Sequence, residues 1–277
     1  MGVVRVNAFQ SALLRPAHTL FAPIVYRLAA RLDQLDVAEM IGDPAISAYA
    51  LRNAQKLFEL PMVVNHFQLG IELESSDSFV SRDQYGVPTE VTGSPTLGRA
   101  SADLLDGLID TAARLSAEFM DRAGVVGVLT GPNTLSSLGK VSPAAISELY
   151  VAMAGKYAEA RVSAIMLAEA PEIPIDDLLV ASATRELVNI CRFYRLKSIL
   201  LAPFGAETGP SPVDLQFGRR RLFPLDLLES QAPADVSGWA GHLGVLTTAG
   251  EVPETLPPES LKSWMNAFAH SSKGGGR

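Results

Sequence analysis

Six short, nearly continuous apolar runs, at residues 20–25, 62–67, 125–130, 163–168, 198–202 and 243–247, alternate with longer stretches of helical periodicity. Continuous runs mark strands covered on both faces, as in a parallel sheet; a strand with one wet face would alternate. Between them, Asp43-Pro44 supplies a helix cap followed by proline at the first helical position, which predicts a helix to about residue 59. Leu104, Leu105, Leu108, Ala112 and Leu115 form one apolar stripe within residues 101–122, closed by Gly124. Ser142-Pro143 opens another helix to about residue 161, and residues 176–195 and 258–269 complete the set. Strands alternating with helices predict an α/β fold on a parallel sheet, and 277 residues suit one TIM-type (β/α) barrel.

Two stretches break the pattern. Residues 74–98 hold Ser75-Ser76, Gly86, Pro88, Gly93 and Pro95, too long an excursion for a tight strand-to-helix loop. Loops after barrel strands lie at the active face, which makes this segment a lid candidate. Residues 205–243 are short for the strands and helices a full barrel needs there, and only Leu222-Phe223 reads as a strand. The expected architecture is therefore one barrel domain over residues 1–270, shortened or incomplete between residues 205 and 243. The tail, residues 271–277, has nothing to bury and is expected to be disordered.

Composition narrows the function. Hydrophobic residues make up 48% and aromatics only 7%, so the core is aliphatic. A net charge of −7 argues against nucleic acid, and Arg219-Arg220-Arg221 is the one local basic run. Cys191 is the only cysteine, which excludes an intrachain disulfide and a multi-cysteine zinc site; its helical surroundings suggest a buried thiol. No leader or membrane-length apolar run is apparent, so the chain reads as cytoplasmic, with no membrane partner. Phosphate-loop, dinucleotide, zinc-protease and serine-hydrolase motifs are missing.

Four segments, in order, resemble the uroporphyrinogen decarboxylase superfamily, a group of TIM-type barrels that includes corrinoid-dependent methyltransferases. Val25-Tyr-Arg-Leu-Ala-Ala-Arg31-Leu32 is similar to the decarboxylase segment R-Q-A-G-R-Y, with Arg27 and Arg31 on its arginines. His66-Phe-Gln-Leu-Gly-Ile-Glu72-Leu-Glu74 is similar to P-F-C-M-T-V-E-A-E of the methyltransferases. Gly131-Pro-Asn-Thr-Leu135 is close to the turn G-P-F-T-L, and Leu246-Thr-Thr-Ala-Gly-Glu251-Val-Pro253 resembles the closing strand L-S-T-G-C-E-I-P. The chain also departs from this group. The methyltransferases' zinc ligands fall on Ala202, Phe204 and Gly250, which supply no metal-binding side chain, so no metal and no resident cofactor are expected. The decarboxylase aspartate, tyrosine and histidine fall near Phe67 or Gln68, at Leu138 and near Gly250; His242 lies several residues early.

What remains suggests a site. Arg27 and Arg31 share one helical face, and their planar forks suit carboxylates; as an ordinary surface helix they would instead pair with Asp33 or Asp36. His66, at the end of the second strand, could transfer protons, with Gln68 orienting a substrate; it could equally be a structural histidine. Glu169 ends an apolar strand and must be solvated or paired, with Arg27 or Arg31 as suitable partners. Asn133 and Thr134 could hold a polar group.

The leading expectation is a metal-free lyase of the decarboxylase type. His66 and Glu169 would be catalytic, and a small anionic, carboxylated molecule would be bound by Arg27, Arg31, Gln68 and Asn133. Two readings stand beside it: a methyl-group transferase relative working with a corrinoid or folate partner, and a non-catalytic partner subunit. Uncovered strand edges in a shortened barrel would favour a homodimer.

Overall fold

The computed structural model describes residues 7–14, 19–95, 97, 102–203, 213–218, 222–230, 232, 236, 238–239 and 244–274. Among the described residues eight short strands run parallel: β1 (Leu20–Phe21), β2 (Met62–Val64), β5 (Gly124–Thr130), β6 (Ala164–Ala168), β7 (Lys197–Leu201), β8 (Leu215–Phe217), β9 (Leu222–Phe223) and β10 (Val245–Thr248). They form two sheets, β2-β5-β6-β7-β8 and β1-β10-β9. Every residue of β5 and β6 is buried, which is why the apolar runs are continuous.

The helices are α1 (Ala8–Leu14), α2 (Tyr26–Leu32), α3 (Val37–Gly42), α4 (Pro44–Phe58), α5 (Ala102–Phe119), α6 (Pro132–Gly139), α7 (Pro143–Glu159), α8 (Asp177–Tyr194) and α9 (Pro258–Gly274). Helix α4 starts at its expected cap, where Asp43 accepts from Ala45 and Ile46 N–H, and Asp176 caps α8 in the same way by accepting from Leu178 and Leu179 N–H. Helix α9 runs on to Gly274, so the expected disorder fails for residues 271–274, while residues 275–277 lie outside the described ones. Among the described residues no helix is long and apolar enough to cross a membrane.

Between residues 205 and 243 the described residues form two strands where one was expected. They are only three and two residues long, and β8 carries a half-buried Gln216, so no apolar run announces it. Asp214 holds β8 to β7 by accepting from Ser198 N–H and Oγ–H at 3.0 and 2.9 Å. The excursion at residues 74–98 contains an antiparallel hairpin of β3 (Ser78–Arg82) and β4 (Pro88–Gly93). Its inner face buries Ser78, Val80 and Pro88, and Phe79 and Thr92 face out.

The hairpin tip is a tight loop in which Asp83 Oδ1 accepts from the N–H groups of Tyr85 and Val87. Gly86, at φ +79°, lies against Arg27 of α2; a Cβ there would sit 2.8 Å from the Arg27 Nε. Gly86→Ala therefore combines a left-handed backbone with a collision. It should cost about 1–3 kcal/mol, read as a melting temperature lowered by several degrees. An unchanged value would mean that the tip is free of α2.

Candidate functional site

Two buried glutamates, Glu169 and Glu72, stand where β6 and β5 end, and a third, the largely covered Glu251, follows β10 in the other sheet. Glu169, just past β6, accepts four hydrogen bonds at the start of α6. Its Oε1 takes Asn133 N–H (3.0 Å) and Nδ2 (2.8 Å), and its Oε2 takes Thr134 N–H (2.8 Å) and Oγ1 (2.6 Å). A carboxylate at a helix N-terminus satisfies amides that have no partner within the helix. Gly131 permits the approach, since a Cβ there would lie 2.2 Å from the Glu169 Cδ. Asn133 then accepts Asp176 N–H, and Thr134 accepts Ala170 N–H, so this cluster also positions the lead-in to α8.

Glu72, in the 3-10 turn Ile71–Leu73, is fully buried and accepts from Thr130 N–H (2.7 Å) and Oγ–H (2.5 Å). Burial raises its pKa, and the hydrogen bonds from Thr130 oppose the shift. Tyr150 donates to the Thr130 carbonyl at 2.6 Å; burial, with the charges of Glu169 and Glu72, raises its pKa well above the usual phenol range. Arg82 ties the hairpin to this edge, donating to Glu74 Oε1 (2.5 Å) and to the Leu69 carbonyl (3.1 Å).

His66 is buried behind this edge. Its Nδ1 accepts Gln68 N–H at 3.3 Å, which places the proton on Nε2, 2.9 Å from the Val128 carbonyl. Burial lowers its pKa to about 4. A neutral ring with both nitrogens engaged has none left for the proton transfer expected of it. Gln68 is buried next to it, and its side-chain Oε1 has no partner among the described residues.

The expected pairing of Glu169 with the arginines does not occur. Arg27 and Arg31 instead meet the segment after β10. Arg27 N–H donates to Glu251 Oε1, while its Nε lies 3.7 Å from Glu251 Oε2 and its Nη1 3.7 Å from Glu254 Oε2. Arg31 donates to the backbone carbonyls of Glu254 and Leu256. A cleft of about 850 Å³ beside them is lined by Arg27, Arg31, Asp36, Glu39 and Glu254, so acids outnumber arginines. That balance is a poor host for the carboxylated molecule expected there. Burial pushes the Glu251 carboxyl up to about 8; its contacts with Arg27 oppose that shift, and the charge of Glu254 adds to it.

The residues at the expected zinc positions do not fit the metal. Ala202 and Gly250 offer no ligand atom. Phe204 lies outside the described residues, as do His242 and Arg219 to Arg221. Among the described residues no group of three or more His, Cys, Asp or Glu could hold an ion. Cys191 is buried on α8, its thiol pushed up to about 12 by burial.

The fold is similar to that of a methyltransferase. The protein concerned, a methyltransferase from Methanosarcina mazei, superposes with a TM-score of 0.64 at 15% identity, over 95% of this chain and 98% of that one. No family model matches the sequence, and no curated protein matches it. The shared property is the fold.

Sequence reasoning missed Glu72, Thr130, Tyr150 and Arg82 as members of this edge. For Glu72 there was a signal: an acid set between Ile71 and Leu73 in an apolar stretch has to find buried donors.

Proposed function

We propose that this chain is a methyl-group transferase relative, a uroporphyrinogen decarboxylase-like barrel that works without zinc alongside a corrinoid or folate partner. The supporting observation is the fold likeness to a methyltransferase over nearly the whole of both chains. The barrel itself is part of this reading. Its support is the cyclic strand order, with β1 and β2 at the ends of the two sheets on one side and β8 and β9 on the other. Helix α1 adds to it by packing against both β5 and β10, one strand from each sheet. The lyase reading has lost its groups: His66 and Glu169 are consumed by internal hydrogen bonds, and the arginines face glutamates.

The test offers the protein a chemically reduced corrinoid with methyl ethers, methylamines, methyl thioethers and methyl-tetrahydrofolate as donors. The visible spectrum of the methylated corrinoid should appear faster with protein than without, and a zinc chelator should not slow it. No acceleration with any donor would remove the reading. The alternative, a non-catalytic partner subunit, is favoured by how completely Glu72, Glu169 and His66 are engaged within the fold.

A further inference from the structure

We propose that the cleft at the amino ends of β5 and β6 is a binding site for a small aliphatic ammonium compound. It lies at the opposite end of these strands from Glu72 and Glu169, and it is independent of the methyl-transfer reading.

The cleft holds about 580 Å³ and is lined by residues of α1 and by the carboxyl ends of α5 and α7. Helix α1 is fixed over the strand ends. Phe9 covers Gly124, where a Cβ would lie 2.2 Å from the ring, and Asn7 Nδ2 donates to the Ala123 carbonyl at 3.1 Å. The small side chains of Ala113 and Ala117 on α5 leave the space open, and Val125 adds a further apolar surface.

Its polar groups are short of partners. Ser116, on the α5 wall, is only 8% exposed, and its hydroxyl has no hydrogen-bond partner among the described residues. A buried hydroxyl without a partner is costly, and a serine within a helix can avoid that cost by bonding the carbonyl four residues back. From α1, Gln10 Nε2 donates to Ser163 Oγ at 3.3 Å, which leaves Gln10 Oε1 and a second lone pair on Ser163 as acceptors.

Electrostatics select the sign of the ligand. The carbonyls at a helix carboxyl end carry partial negative charge, and two helices end here. Asp121 and Glu159 line the cleft against Arg161 alone, and Glu159 is exposed with no ion pair among the described residues. Two neighbouring cations are engaged: Lys156 pairs with Asp106, and Arg122 donates to the Glu118 carbonyl. A carboxylate or phosphate would therefore meet like charge, whereas an ammonium group brings both the matching charge and N–H donors. No cluster among the described residues could hold a metal ion, and the alanine and valine lining suits a short alkyl body.

Butylammonium, 1-butanol and butyrate share one chain and differ in charge, so their binding to the protein tests the site directly. Butylammonium should bind at least about tenfold more tightly than 1-butanol, butyrate should not bind, and added salt should weaken the cation. Ser116→Ala should weaken butylammonium about tenfold; because it removes an unpartnered hydroxyl, the melting temperature of the free protein should stay level or rise. Glu159→Lys, at an exposed position, should weaken it about tenfold or more. Bound butylammonium should also raise the melting temperature of the wild type and not that of Glu159→Lys. Butyrate binding as well as butylammonium, or a butylammonium affinity that survives both variants, would overturn the proposal. So would the absence of butylammonium binding up to about 10 mM.

Discussion

Glu169→Ala should lower the stability of this protein by about 3–5 kcal/mol, measured by urea denaturation, because it strips one buried acceptor from four donors at once. The N–H groups of Asn133 and Thr134 open α6 and have no partner within the helix. Asn133 and Thr134 also hold Asp176 and Ala170, so the loss extends to the start of α8. Gly131→Ala should be similarly damaging, since its Cβ would overlap the Glu169 carboxyl at 2.2 Å. The double variant should cost clearly less than the sum of the two, because both act on one contact. A loss under about 1 kcal/mol for Glu169→Ala would show that the carboxylate is no structural anchor. It would also return Glu169 to the catalytic role expected from sequence.

The second large effect is a stability that falls with rising pH. The Glu251 carboxyl is raised from 4.5 to about 8, so the folded state holds its proton more tightly than the unfolded chain does. Its contribution is fully present below about pH 4.5, declines as the unfolded chain begins to ionise, and is lost once pH passes about 8. At about 1.4 kcal/mol per unit, the change across that window is on the order of a few kcal/mol. Unfolding free energies at mildly acidic and mildly alkaline pH should therefore differ in wild type, with the difference largely removed in Glu251→Gln. His66 works in the opposite sense and at lower pH: its pKa is depressed to about 4, so its destabilising effect begins only as pH falls below the ordinary imidazole range. Because the two effects oppose each other below about pH 6.5, a wild-type curve that does not fall between about pH 6.5 and about pH 8 would mean that Glu251 is ionised in the folded protein.

The two stability experiments bear on function as well. If Glu169 is an anchor and Glu251 holds its proton, two glutamates that each follow a strand differ in their charge at neutral pH. The sequence shows both as a glutamate after a strand. What separates them is the number of donors each meets: four for Glu169 and one for Glu251.

The longer strands, β5, β6 and β7, were legible because each is buried on both faces and so reads as an unbroken apolar run. Helices α4 and α7 were legible from their caps, which are local interactions within three residues. The arginines of α2 do project from one face, as their spacing requires. The hairpin was not legible. Its apolar residues are few and one side faces water, so β3 and β4 resemble a polar loop until they pair. Strand β8 was missed because three residues carry no periodicity of their own, while β9 was read at Leu222-Phe223.

Local pattern, then, was enough for the α/β class and for most helix starts, because each depends on residues close in sequence. The partners of the charged groups were decided by the tertiary structure alone. Arg27 meets Glu251 across 224 residues, and Glu169 meets Asn133 across 36. Those pairings depend on which strand ends become neighbours. That proximity, through burial and the donors it supplies, sets which carboxyl meets four donors and which meets one.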